Sequence, residues 1–406
     1  MALDLVIADA VLAGREGRWS VGVEGGRIAV IAPEIATEVP PVAADGRLLT
    51  AGLVECHIHL DKADILDRVT IAEGTLGEAV RETAQAKAQF TEEDVFRRAS
   101  RVAELAVLNG TTAIRTYVEI DPRAGMRSFN AIKQVKAAYA HLIDIQICAF
   151  AQEGLSNEPE TEPMLVAALE QGADLVGGCS YTDPDPRGHI SRIFDLAERF
   201  GVDADFHVDF NLDPNNADLP EIVTQTERRG YFGKVACGHV TKLAAWPKAE
   251  VTAIAKRLAQ AGVGVITLPA TDLFLLGRDA TGLVPRGFAP LMALRAEGAL
   301  TAVATNNVLN PFTPYGDANL MRMANLFANV AQLSRDADLE AAFAMVSADA
   351  ARMMGRPYGI AVGAAADLVL LDAVSPSDAV RRVAAPVKGW KRGRLSFERP
   401  AALLNR

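Results

Sequence analysis

Two kinds of hydrophobic pattern alternate along this chain. Residues 1 to about 50 carry short β-type runs between glycine turns (LDLVIADAVL, WSVGVEGGRIAVIAP, GRLLTAGLV), and the tail repeats the pattern in ADLVLLD and VKGWKRGRLSF. Neither end is large enough for a core of its own, so the two ends are expected to pair into one small β-sandwich domain, residues 1–50 with 361–406. Between them, over 51–360, eight β-branched runs alternate with longer alanine-rich, charged segments of helical period. The runs are LVECHIHL, TTAIRTYVEI, IDIQICAFAQ, ADLVGGCSY, VDADFHVDF, KVACGHVTK, GVGVITLP and ALTAVATNN. Their number and the length of the region match an α/β fold, a (β/α)8 TIM barrel, with a doubly wound open sheet as the rival.

Polar residues decide between the two. His57 and His59 close the first run, Arg115 and Glu119 the second, Gln152 the third, His207 and Asp209 the fifth, His239 the sixth, and Asn306 with Asn307 the eighth. Barrel enzymes work at the C-terminal ends of their strands, whereas an open sheet gives no reason for polar groups at so many ends.

Composition narrows the partners. The 406 residues are 50% hydrophobic and 23% charged with a net charge of −10, which suits a globular protein and offers no basic surface for nucleic acid. A small-molecule substrate is expected instead. No apolar run reaches membrane-spanning length and the N-terminal MALDLVIADAVL has no basic flank, so the expected compartment is the cytoplasm. The four cysteines form no CxxC pair. Cys56 precedes the histidine pair and alternates away from it, which favours packing. Serine-hydrolase, nucleotidase and dehydrogenase readings lack their G-x-S-x-G, Walker and G-x-G-x-x-G loops.

The candidate chemistry lies in "HIHLDK". Residues two apart on a strand share a side, so His57 and His59 can point together into a barrel mouth. Alone, such a pair is as often an accident of packing as a ligand pair. His207 and His239 change that, because four of the six histidines then sit at strand ends. His141, in a helix tail, reads as a packing or capping residue; His189 lies in a loop near the mouth and stays open. Neutral imidazoles suit one divalent ion, Zn²⁺ first and Fe²⁺ second, and an ion lowers the pKa of a water toward neutrality.

These residues carry a family resemblance over essentially the whole chain. GLVECHIHLDKA, IRTYVEI, IDIQICAFAQEG, NNVLNPFTPYGDANLMRMANL and GAAADLVLLD resemble the strand and end motifs of the amidohydrolase superfamily, in the branch of cytosine deaminase and N-isopropylammelide isopropylaminohydrolase. The resemblance implies that His57, His59 and His207 are metal ligands, that His239 activates water or polarises the scissile group, and that Gln152 binds the substrate ring. Lys62 matches the triazine-processing members and is expected beside the substrate as a charge or proton partner. Members of the superfamily with two metals usually have a lysine on strand four; GADLVGGCSYTDPD has none, so a single ion is expected. Asp183, just beyond that strand, and Asp209, two residues after His207, are expected substrate or proton contacts, and Asn307 a further substrate contact. Phe274 and Leu275, in the segment after strand seven, either line the pocket or pack. The fold family also implies a homo-oligomer.

Two positions depart from the pattern. Asn306 stands where the family has a metal-binding, proton-managing aspartate; its carbonyl can touch an ion but cannot take a proton. The change is either an engineered carboxylate-to-amide substitution that traps substrate or a natural divergence, and the intact ligand set around it favours the first. Phe210 stands where cytosine deaminase has a proton-shuttling glutamate, which argues against cytosine deamination and for a more apolar wall. The expected activity is metal-dependent hydrolysis of a C–N bond in a small nitrogen heterocycle: deamination, dealkylamination or amide hydrolysis. The alternatives are a carboxamide amidase of a heteroaromatic acid and a non-catalytic ligand-binding barrel.

Overall fold

The computed structural model describes residues 2–400 together with 402, 404 and 405. Five strands open the chain, β1 (Leu5–Leu12), β2 (Trp19–Glu24), β3 (Arg27–Ala32), β4 (Val42–Ala43) and β5 (Leu48–Ala51). Eight follow in the centre: β6 (Leu53–Ile58), β7 (Thr111–Glu119), β8 (Asp144–Ala151), β9 (Leu175–Cys179), β10 (Asp203–Val208), β11 (Val235–His239), β12 (Val263–Thr267) and β13 (Thr301–Val303). Three close it, β14 (Leu368–Leu371), β15 (Pro386–Lys391) and β16 (Arg394–Glu398). The helices that bear on the site are α1 (Leu76–Lys87), α2 (Glu92–Leu108), α3 (Arg127–Ala138), α4 (Thr161–Glu170), α5 (Pro186–Phe200), α6 (Leu219–Arg229), α7 (Lys248–Ala261) and α8 (Pro269–Leu275). None of the described helices is long and apolar enough to cross a membrane.

Strands β6 to β13 form a parallel sheet in chain order. It closes where Asn306 donates its N–H to the His57 carbonyl and accepts from the His59 N–H, both at 2.8 Å. The barrel wall is built by alternation. On β7, Ile114 and Val118 face the surrounding helices while Ala113, Arg115, Tyr117 and Glu119 point inward. Arg115 therefore does not close its strand: it lies four residues before the end and pairs with Asp205 at 3.1 Å inside the barrel.

The two chain ends make one mixed sheet, ordered β16-β15-β14-β5-β1-β2-β3. Strand β1 joins its halves, pairing with β2 through Leu5–Ala10 and with β5 through Val11 and Leu12. Such a switch of partner makes a corner, and the folded sheet packs Ile7, Val21 and Ile28 with Leu49, Leu368, Leu370 and Trp390. The alternate residues of β14, Val369 and Leu371, belong instead to the barrel's core.

Candidate metal centre and active site

Three inward-facing histidines meet at the C-terminal end of the barrel. Their rings are buried, His57 stacking on His207 with centroids 4.5 Å apart, and one nitrogen from each of His57, His59 and His207 falls within 4.8 Å of the others. The close fit depends on Gly238, which pairs with His207 across β10 and β11: a Cβ there would stand 2.5 Å from Cε1 of His57. Burial first, then the neighbouring histidines and Lys62, hold all three imidazoles well below their ordinary pKa. They are neutral donors at pH 7. Both nitrogens of His57, Nδ1 of His59, Nε2 of His207 and Oδ1 of Asn306 are buried without a hydrogen-bond partner. Buried polar atoms of native proteins are almost always satisfied, and three converging imidazole nitrogens are the donor set of a divalent transition metal. The residues fit such an ion.

A second cluster of potential ligands, Glu119, Asp121 and Glu153, lies close by. Its cation is built in, since Lys87 at the end of α1 places Nζ 2.8, 2.5 and 2.7 Å from the three carboxylates. Glu119 also accepts from Lys62 Nζ at 2.5 Å. Burial pushes the Glu119 carboxyl up, but the two ammonium groups outweigh it and hold the group below the usual carboxylate range. The same pairing fixes Lys62, whose Nζ lies 4.3 Å from the ring centre of Phe312.

His239 ends β11 with φ 71°, a left-handed conformation uncommon for a non-glycine residue. Its Nδ1 lies 2.7 Å from Oδ1 of Asp272 on α8. A carboxylate at Nδ1 fixes the tautomer and leaves Nε2 for the pocket. The other Asp272 oxygen accepts from Leu268 N–H, and burial raises the Asp272 pKa against the opposing pull of His239. Asn306 also has positive φ, 65°; its Nδ2 donates to Thr271 Oγ1 at 3.1 Å, which leaves Oδ1 facing the ligands.

A small cavity of about 20 Å³ lies over these groups, lined on its polar side by His59, Lys62, Gln152, His207, His239, Asn306 and Asn307. Its other wall is Leu76, Tyr181, Phe210, Leu275 and Phe312. Phe210 meets His239 edge to face at 4.6 Å. Leu275 lines the cavity, while Phe274 packs on Tyr315.

Asp183 and Asp209 lie outside this cavity. Asp209 has φ 57°, so the strand's alternation ends before it, and its carboxylate accepts from the N–H groups of Asp218 and Leu219 at the start of α6. Asp183 accepts from the N–H groups of Leu155, Ser156 and Asp185 and from Nδ1 of His189. These bonds outweigh burial and hold its pKa below the usual range. His189 is thus a buried partner of Asp183 on α5. Asp272, Thr271, Lys87 and Tyr181 escape sequence reasoning. Asp272 alone carried a signal, as an acid in TDLFLLG directly after the seventh strand; Lys87 reads as an ordinary solvated cation at a helix end.

Comparison with known proteins agrees with this geometry. A family model described as "Amidohydrolase family" matches residues 68–397. The N-isopropylammelide isopropyl amidohydrolase of Pseudomonas sp. (strain ADP) is 27% identical over 405 residues, covering 97% of this chain and 96% of that protein. The pterin deaminase of Rhizobium rhizogenes is 30% identical over 324 residues, covering 79% and 74%. The crystal structure of 5-methylcytosine deaminase from Klebsiella pneumoniae liganded with 5-fluorocytosine superposes with a TM-score of 0.94 at 27% identity, covering 99% of both chains. Fold, inward histidines and family model agree: the chain belongs to the amidohydrolase family.

Proposed function

We propose that this protein binds one divalent metal ion, Zn²⁺ in preference to Fe²⁺, and hydrolyses a C–N bond of a small nitrogen heterocycle, with Asn306 holding the rate far below what the rest of the site can support. One observation carries the reading: buried nitrogens of His57, His59 and His207 without hydrogen-bond partners converge, and His59 and His207 line a pocket with His239, Lys62 and Gln152. Relatives named as deaminases and an amidohydrolase of heterocycles support it. When bound, the ion supplies a Lewis acid and lowers the pKa of a water.

The protein's own groups do the rest. Nε2 of His239, freed by the Asp272 contact at Nδ1, can take a proton from water and return it to the leaving nitrogen. The Gln152 amide offers both a donor and an acceptor to the edge of a ring. Lys62, held by Glu119, presents a fixed positive charge to a ring oxygen or nitrogen. Phe210 and Phe312 give the ring an apolar face. The leaving group is ammonia or an amine. Asn306 accepts no proton, and with the amide nitrogen committed to Thr271 the group serves only as a neutral oxygen donor.

That amide also favours a second reading, a barrel that binds the heterocycle without turning it over. Asn306→Asp separates the two. Hydrolysis of cytosine, 5-methylcytosine, ammelides or a pterin is expected to rise by about 10²-fold or more, the scale of a general acid–base group. Tight binding with no hydrolysis in the aspartate variant would leave the binding protein.

A further inference from the structure

Helix α2 carries a motif that the metal centre does not use. In EEDVFRRASRVAE, Asp94, Arg97, Arg98 and Arg101 stand three and four residues apart and so share one face of the helix. Like charges at these spacings repel and weaken a helix. The segment that follows HIHLDK brings Asp64, Asp67 and Arg68 to the same place, and the three helix arginines line a recess with these residues, Leu66 and Leu309.

Its charges do not cancel. Asp94 takes Arg68 at 2.8 Å, Arg97 at 3.1 Å and Arg98 at 3.0 Å. Asp64 takes Arg101 at 2.6 Å, and Asp67, exposed to solvent, is 3.4 Å from Arg68. Four guanidinium groups thus meet three carboxylates, in a chain whose net charge is −10.

Arg98 is the buried member, 3% exposed, with its guanidinium over the ring of Phe90. Nη1 donates to the carbonyls of Asp61 at 3.0 Å and Ala63 at 2.6 Å, and Nε donates to Asp94 at 3.0 Å. Nη2 lies 3.0 Å from Asp94 Oδ2 outside hydrogen-bonding geometry and has no hydrogen-bond partner among the described residues. A guanidinium carries five N–H groups, so the two on Nη2 are unspent, and a buried charged donor left unpaired is costly. Burial also pulls the Arg98 pKa down, against the pull of Asp94. Arg97 and Arg101, by contrast, keep most of their side chains in solvent, at 72% and 65% exposure, free to turn onto a ligand.

We propose that this recess binds a phosphate group, with Arg98 as the fixed donor and Arg97 and Arg101 as the outer ones. A guanidinium fork matches an oxyanion bidentately, and a tetrahedral phosphate offers oxygens to more than one fork where a carboxylate has only two. The recess shares no lining residue with the pocket over the histidines, so the proposal stands or falls apart from the heterocycle reading.

Calorimetry of the full chain, loaded with zinc and freed of excess metal, tests it in a buffer without other oxyanions. Inorganic phosphate is expected to bind with a Kd of about 1 mM or below, and acetate about tenfold more weakly or worse. Methyl phosphate, run alongside, tells an esterified phosphate from the free ion: binding as tight as that of inorganic phosphate assigns the first, weaker binding the second. Arg97→Ala/Arg101→Ala removes exposed ion pairs that contribute little to stability; it should weaken phosphate about tenfold or more while metal content and circular dichroism stay unchanged. Arg97→Lys/Arg101→Lys keeps the charges without the forks and should fall between the two. Phosphate held by the metal ion is a separate event that neither variant alters. No binding at about 10 mM phosphate, or no binding event weakened in the alanine variant, overturns the site. Acetate binding as tightly as phosphate overturns the ligand class.

Discussion

A methyl group at position 238 would stand 2.5 Å from the His57 ring, so Gly238 sets how closely the three histidines that would hold a metal can approach. Gly238→Ala is expected to cut bound metal to less than half of the parent value while circular dichroism stays unchanged; full metal content in the variant would show that the ring can yield. Asp272→Asn keeps the size of the side chain but withdraws the charge that fixes the His239 tautomer. In an Asn306→Asp background it should lower kcat by about 10²-fold or more with little change in KM, as loss of an orienting carboxylate does elsewhere. Proton competition at the metal has a definite direction. A free imidazole binds a proton below about pH 6.5; burial depresses the pKa of His57, His59 and His207, so a proton displaces the metal only at lower pH. Dialysis at pH 6 should leave metal content at the pH 7.5 level, and loss already at pH 6.5 would contradict the neutral-ligand description.

Helix α1 ties the mouth of the barrel together at two points. Its first residue, Leu76, walls the pocket, and its last, Lys87, inserts an ammonium among three carboxylates carried by or following β7 and β8. Taking away one partner of a buried ion cluster leaves uncompensated charge, a loss of about 3–5 kcal/mol. Lys87→Met should therefore lower the free energy of unfolding obtained from denaturant titration by that amount, and the midpoint with it. An unchanged midpoint would mean that water or a counter-ion replaces the ammonium. The helix itself is legible from its amphipathic repeat, but its role is not, because nothing local distinguishes a lysine in a helix's last turn that meets solvent from one that meets Glu119, Asp121 and Glu153.

At the scale of the whole molecule, the two chain ends depend on each other and on the barrel. Strand β14 pairs with β5 and sends Leu368 and Leu370 into the small core, Val369 and Leu371 into the large one. Deleting residues 366–406 exposes both faces at once. The truncated chain is expected to lose its cooperative thermal transition and to aggregate; a soluble barrel with its full metal content would show that the end sheet is dispensable.

Periodicity alone located all eight barrel strands and the sheet at the ends, because alternation and helical period are local properties of the chain. It also picked out the three histidines that the barrel brings together, since neutral polar groups at the ends of apolar runs need a partner wherever the fold places them. It misled at Arg115, where an interior ion pair with Asp205 resembles a strand-end polar group, and at Asp209, whose left-handed backbone turns its carboxylate to a helix N-terminus. Asp272, Lys87 and Thr271 gain their roles only from partners 30 or more positions away: Asp272 from His239, Lys87 from Glu119 and Thr271 from Asn306. The sequence by itself determined the barrel, the pairing of the ends and the imidazole set, carried by residue type and spacing; the anomaly at Asn306 is implied by the family resemblance. Only the tertiary structure decided which acid orients His239 and which carboxylate fixes Lys62. Those depend on distances between segments remote in the chain, which no local pattern encodes.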